Sequence, residues 1–167
     1  MKFKGKGGLR HTKIVGDFGE HLILYWLSKH GYECAHIDHV GIDLIATHPG
    51  SGERLGISVK SRDIQRPKSI GAAINIMKNT KKERDKIDSA CEAFACIPYL
   101  AVVVDQNTEQ HEKKIHGFLT PVQHFLAMHP PNTKILSWKM NDKALESYRQ
   151  DDKVKMFVCD YEGGGWL

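Results

Sequence analysis

The apolar residues change their spacing several times along this chain, and each change marks an element. Residues 13–30 repeat with a helical period, with Thr12 as N-cap candidate and Gly31 as the stop. At 100° per residue, Ile14, Val15, Phe18, Leu22, Tyr25 and Trp26 gather on one side, which predicts the stripe that meets the core. Glu20 points the opposite way, among Gly16, Ile23, Leu24 and Leu27. A carboxylate in such small and apolar company is costly to leave ionised unless a cation meets it. The bland alternative is a Glu20 that pairs with a lysine or arginine, or that sits at an exposed helix edge.

Period-two segments follow. Residues 32–37, 41–48 and 54–61 read as strands, and His48-Pro-Gly-Ser-Gly52 between the last two is turn chemistry, so these form a hairpin. Alternation puts Ile42, Leu44 and Ala46 on one face with Asp43 on the other; Leu55, Ile57 and Val59 share a face and leave Ser58 and Lys60 opposite. A turn centred between Gly50 and Ser51 sets Leu44 across from Ile57 and Asp43 across from Ser58. A one-residue slip would bury Ser58 and Lys60 among the apolar side chains, which favours this register. Asp43, Ser58 and Lys60 then share one patch.

Beyond a loop rich in Arg, Pro and Lys, residues 81–96 suit a helix, and 100–105 form an apolar run of buried-strand length. Residues 116–119 read as a strand, 121–128 as a short helix stopped by Pro130-Pro131, and 153–160 as a late strand. The C-terminal third has no clear place in this scheme. The order predicts an α/β fold: a mixed sheet with helices packed on it. One domain over residues 14–161 is expected, with a basic arm at 1–13 and a Gly-rich tail at 162–167.

Composition narrows the class. The 167 residues, 41% hydrophobic and 26% charged, suit one globular domain. No segment approaches the roughly 20 apolar residues of a membrane span, and no signal core follows the basic N-terminus, so a cytoplasmic protein without membrane contact is expected. The four cysteines show no CxxC spacing and read as small core residues in a reducing compartment. No HExxH and no Cys/His ligand quartet is present; His36 and His39 are the nearest approach to a zinc pair. The net charge of +4 permits nucleic-acid binding without demanding it. Placement says more, since cations crowd the first thirteen residues and return at Arg62, Arg66, Lys68, Lys78, Lys81, Lys82, Arg84 and Lys86. Taken alone, such clusters suit a solvated helix face as well as a phosphate track.

The stretch from Gly16 to Arg62 resembles the PD-(D/E)xK nuclease superfamily, especially its branch similar to archaeal Holliday-junction resolvases and restriction endonucleases. The matching pieces are Gly16-Asp-Phe-Gly-Glu20 in a helix, Gly41-Ile-Asp43-Leu-Ile on a strand, and Ile57-Ser-Val-Lys60-Ser on the next. The resemblance implies a restriction-endonuclease-like fold and hydrolysis of phosphodiester bonds in DNA with Mg²⁺ or Mn²⁺, one or two ions held weakly without substrate. It implies Asp43 as a metal ligand, Glu20 assisting directly or through water, and the carbonyl of Val59 completing the set. Lys60 would orient or help deprotonate the attacking water and offset transition-state charge. Arg62, Arg66, Lys68, Lys81 and Lys82 would hold the sugar–phosphate backbone. Many nucleases of this fold act as two-fold dimers, so a homodimer is also in view.

Ser58 departs from the pattern, which wants Glu, Asp or Gln two residues before the lysine. A hydroxyl removes one formal charge. Glu20, Asp38 or Asp63 could take over that role, or the site could need Mn²⁺ or the phosphates of DNA. Otherwise a degenerate module remains, binding nucleic acid or a protein partner without cutting.

Overall fold

A computed structural model describes residues 8–64, 73–107 and 113–161. Helix α1 (Leu9–Lys29) leads into strands β1 (Glu33–His36), β2 (Leu44–Thr47) and β3 (Arg54–Ile64). Then come β4 (Ala73–Met77), α2 (Thr80–Ala93), β5 (Ile97–Asn107), β6 (Lys113–Pro121), α3 (Val122–Ala127), β7 (Leu136–Lys139), α4 (Asp142–Gln150) and β8 (Lys155–Asp160). Six strands form one mixed sheet in the order β1-β2-β3-β5-β6-β8, and β4 pairs with β7 in a second, two-stranded sheet. The α/β class, with helices on a mixed sheet, is as the hydrophobic pattern predicts.

The hairpin register also holds, since Leu44 pairs with Ile57 and Thr47 with Arg54. Strand β3 then runs parallel to β5, with Val59 beside Ala101 and Ser61 beside Val103. A parallel pair needs a crossover, and β4 and α2 lie in that connection.

Two apolar layers cover the sheet. On one face Ile23 and Leu27 of α1 pack on Leu44, Ala46, Leu55, Ile57, Val59, Ala101 and Val103. On the other, Ile87, Ala90 and Cys91 of α2 join Leu100, Val102, Val104 and the aromatic group Phe118, Phe125, Trp138 and Tyr148. Strand β3 is sandwiched between these layers, with Leu55 through Val59 all buried.

The stripe expected to face the core does so only in part: Leu22 and Trp26 pack half-buried against it. Ile14, Phe18 and Tyr25 are exposed, and α1 buries Gly19, Ile23 and Leu27 instead. The cause is steric: a Cβ on Gly19 would overlap the Ser61 hydroxyl, so only a glycine face can approach β3 this closely. The helix docks through Gly19, Ile23 and Leu27 and leaves Ile14, Phe18 and Tyr25 outside. It also begins earlier than expected, at Leu9, and His11 in its first turn bonds Asp63 of β3 at 3.1 Å.

A second difference concerns Ile42. It belongs to the α2 layer, not to the layer of Leu44 and Ala46. Gly41 has φ of +113° and packs against the Lys86 carbonyl of α2, so the chain bends there and regular strand geometry starts only at Leu44.

The cysteines are all free, but only Cys91 is fully buried, and Cys159 is exposed on β8. Burial pushes the Cys91 thiol up to about 12, so it acts as a small apolar filler. Among the described residues no helix is long and apolar enough to cross a membrane.

Candidate active site

The docking of α1 by its glycine face decides where Glu20 goes. One residue beyond Gly19, it stands half-buried at the helix–sheet boundary, with its side chain 21% exposed. Its Oε2 lies 2.6 Å from Nε2 of His36, the last residue of β1. The His36 ring stacks on that of His21 with centroids 5.6 Å apart, and His21 Nδ1 in turn meets the Asp17 carbonyl at 2.7 Å.

Asp43 sits where the chain enters β2. Its backbone N–H donates to the Ile57 carbonyl at 2.8 Å, and its Oδ2 accepts the Val59 N–H at 2.6 Å. The carboxylate therefore reaches across the hairpin to the strand that carries Lys60. Burial raises the Asp43 acid above its ordinary range, and the charge of Glu20 raises it further; the Val59 N–H, Lys60 and His36 pull the other way. Two acids and two basic side chains, drawn from α1, β1, the entry to β2 and β3, thus act on one another.

Strand order explains the placement of the two basic groups. His36 lies on β1, opposite Leu44, and Lys60 lies on β3, so they flank Asp43 from neighbouring strands. Along β3 the even positions share the side of Gly56, whose added Cβ would meet Cys91 of α2; Ser61 turns to α1. Lys60 and Ser58 thereby approach from the α2 layer and Glu20 from the α1 layer. Lys60 is half-buried, while Ser58 is 3% exposed, enclosed between layers instead of standing on an open polar patch.

Two carboxylates, Glu20 and Asp43, meet here among the described residues. Among the described residues no group of three or more His, Cys, Asp and Glu side chains is gathered as a metal cage. The two half-buried oxygen acids, each with one oxygen already anchored, are donors of the kind a hard cation takes when it keeps most of its water. Of the three acids considered as replacements, Glu20 is at the site, Asp63 is held by His11 beyond Lys60 on β3, and Asp38 is exposed in the β1–β2 connection. His36 and His39 do not act as a pair, since the His39 ring is edge-on to Phe94 at 5.1 Å.

The proposed backbone contacts divide. Arg62 spends its guanidinium on the carbonyls of Ser61 at 2.7 Å and Asn75 at 3.1 Å, tying β3 to β4. Arg66 and Lys68 lie outside the described residues. Lys81 and Lys82 are exposed in the first turns of α2 and line an open groove of about 710 Å³ together with His39, Val40 and Lys86. That groove adjoins the loop that leads through Gly41 into Asp43.

Sequence reasoning set His36 beside His39 and missed its place next to Glu20. Its signal was available in the strand pairing, because a β1–β2 hairpin that sets His36 opposite Leu44 brings it beside Asp43.

No protein-family profile matches the chain, and no curated protein matches it. Among solved structures it is similar to Hjc of Archaeoglobus fulgidus, a Holliday junction resolvase from an archaeal hyperthermophile, at 16% identity. The likeness covers 76% of this chain and 91% of that one, with a TM-score of 0.43. A likeness of that size is no evidence of a shared activity.

Proposed function

We propose that this protein is a nuclease that hydrolyses phosphodiester bonds in DNA with a divalent cation, Mg²⁺ or Mn²⁺. The observation that carries the reading is the half-buried Asp43 carboxylate, tied to the Val59 N–H at 2.6 Å, whose acid is raised first by burial and then by the charge of Glu20, against the pull of the Val59 N–H, Lys60 and His36. Adjacent acids at a layer boundary destabilise each other unless a cation joins them, so their company favours a site for one.

Asp43 and Glu20 would hold the ion through the oxygens not anchored by Val59 and His36, with the Val59 carbonyl as a third protein ligand. Bound there, it would supply Lewis-acid stabilisation of the phosphoryl oxygens and a more acidic water. The residues of the chain do the rest. The Val59 N–H fixes Asp43, the ammonium of Lys60 orients the attacking water and offsets the charge that grows on the phosphoryl group, and Lys81 and Lys82 receive the flanking phosphates.

A second reading has its own observation. Ser58 stands buried where a further acid is expected, which removes one charge from the donor set. On that reading the protein binds nucleic acid or a protein partner and cuts nothing.

One experiment separates them. Supercoiled, linear, single-stranded and branched DNA are incubated with Mg²⁺ or Mn²⁺ and either the native protein or Lys60→Ala. The nuclease reading expects metal-dependent cleavage that falls by about 10²-fold or more in the variant. Salt-sensitive binding with no cleavage on any substrate establishes the second reading and overturns the first.

A further inference from the structure

The Glu20–His36 contact belongs to neither the sequence motif nor the set of groups that handle water and phosphate. It is nevertheless as short as the Asp43–Val59 bond, 2.6 Å between Nε2 and Oε2. We propose that His36 is a positioning residue, which fixes one oxygen of Glu20 so that the other is presented to the cation; the inference rests on the nuclease reading.

Three features support it. Glu20 has three side-chain torsions, and a glutamate on a helix edge ordinarily samples several rotamers. An imidazole on the adjacent β1 restricts that freedom from outside the helix. His36 is itself held: His21 stacks on its ring at an interplanar angle of 22°, and His21 is anchored to its own helix through the Asp17 carbonyl. The chain of support runs Asp17, His21, His36, Glu20, and ends on an acid whose charge acts on Asp43. Ser58 makes this support matter more. With a third carboxylate absent, the cation depends on two acids, and freedom in either one weakens the whole site. Groups behind a ligand in this way are typically worth roughly 10–100-fold in metal affinity or activity.

The test uses the full chain and Mn²⁺ alone as the probe. Mn²⁺ is titrated against the native protein, His36→Ala, His36→Gln and Glu20→Gln, and binding is read from the rise in melting temperature with metal concentration. In parallel, the Mn²⁺ concentration for half-maximal cleavage and the KM for DNA are measured. The proposal expects His36→Ala to weaken Mn²⁺ binding by roughly 10–100-fold, close to Glu20→Gln, with an unchanged metal-free melting temperature and KM. His36→Gln, whose amide N–H can still meet Glu20, recovers most of the loss. If Glu20→Gln weakens Mn²⁺ binding and His36→Ala does not, the positioning role is overturned and the nuclease reading stands. If Glu20→Gln and Asp43→Asn, titrated in the same way, both leave Mn²⁺ binding at the native level, the cation site itself is overturned.

Discussion

Gly19 of α1 lies directly against Ser61 of β3, so close that a β-carbon on the glycine would overlap the serine hydroxyl. This contact sets how deep the helix sits, and so how far Glu20, the next residue, projects toward Asp43. Gly19→Ala must push the helix outward or displace Ser61. Overpacking of this kind costs about 1–3 kcal/mol. Urea unfolding should show a loss of that size, and metal-dependent cleavage should fall with it because Glu20 moves with the helix. An alanine variant of native stability and activity would show that the close approach is not required.

Asp43 should trade stability for function. Its folded acid is raised above the ordinary value of 3.8, by burial first and then by Glu20. A raised acid binds its proton more tightly in the folded state. Its favourable contribution is therefore complete below the unfolded value and is lost as pH rises through the folded one. At neutral pH the ionised group costs stability. Asp43→Asn, which keeps an oxygen for the Val59 N–H, should melt higher than the native protein at pH 7, with each kcal/mol worth about 2–4 °C. The gap should close as the pH falls below 3.8. Cleavage should be abolished throughout.

Ser58→Glu restores the acid two residues before Lys60. Because Ser58 is 3% exposed, the larger charged side chain will cost roughly 1–3 kcal/mol on unfolding by denaturant. A third carboxylate should nonetheless tighten Mn²⁺ binding, read as a larger metal-induced rise in melting temperature. A variant that loses stability and gains no affinity for Mn²⁺ would place residue 58 away from the ion.

Lys81 and Lys82 line the groove that adjoins the Asp43 loop. Replacing both with alanine should remove about two phosphate contacts. The slope of log affinity for duplex DNA against log salt should then fall by about 1.8, similarly for all sequences. An unchanged slope would remove the groove from the binding surface.

The hairpin was the most legible part of the chain. Two alternating segments around a Gly/Pro turn allow one register that keeps Ser58 and Lys60 out of the apolar row, and the pairing of Leu44 with Ile57 follows. Helix α1 was legible as a helix but not in its orientation, because periodicity weights large apolar residues and cannot weigh the close approach that Gly19 allows. The strand-to-bend change at Asp43 was hidden for a related reason: the positive φ of Gly41 is set by its packing on Lys86, a tertiary contact. Strands β4 and β7 and helix α4 are four to nine residues long, too short for a periodic signal, and gain their stability from the Trp138–Tyr148 cluster. The sequence singles out His36 only beside His39, and nothing local ties it to Glu20. Its partner lies sixteen residues earlier on another element.

The central claim is that Glu20 and Asp43 present their carboxylates to one cation beside Lys60. Crystals grown with Mn²⁺ and a DNA duplex, with diffraction recorded at a wavelength where manganese scatters anomalously, test it directly. The account predicts an anomalous peak in contact with an oxygen of each acid, absent from crystals of Asp43→Asn. A manganese peak held elsewhere, with the two carboxylates sharing none, would contradict it.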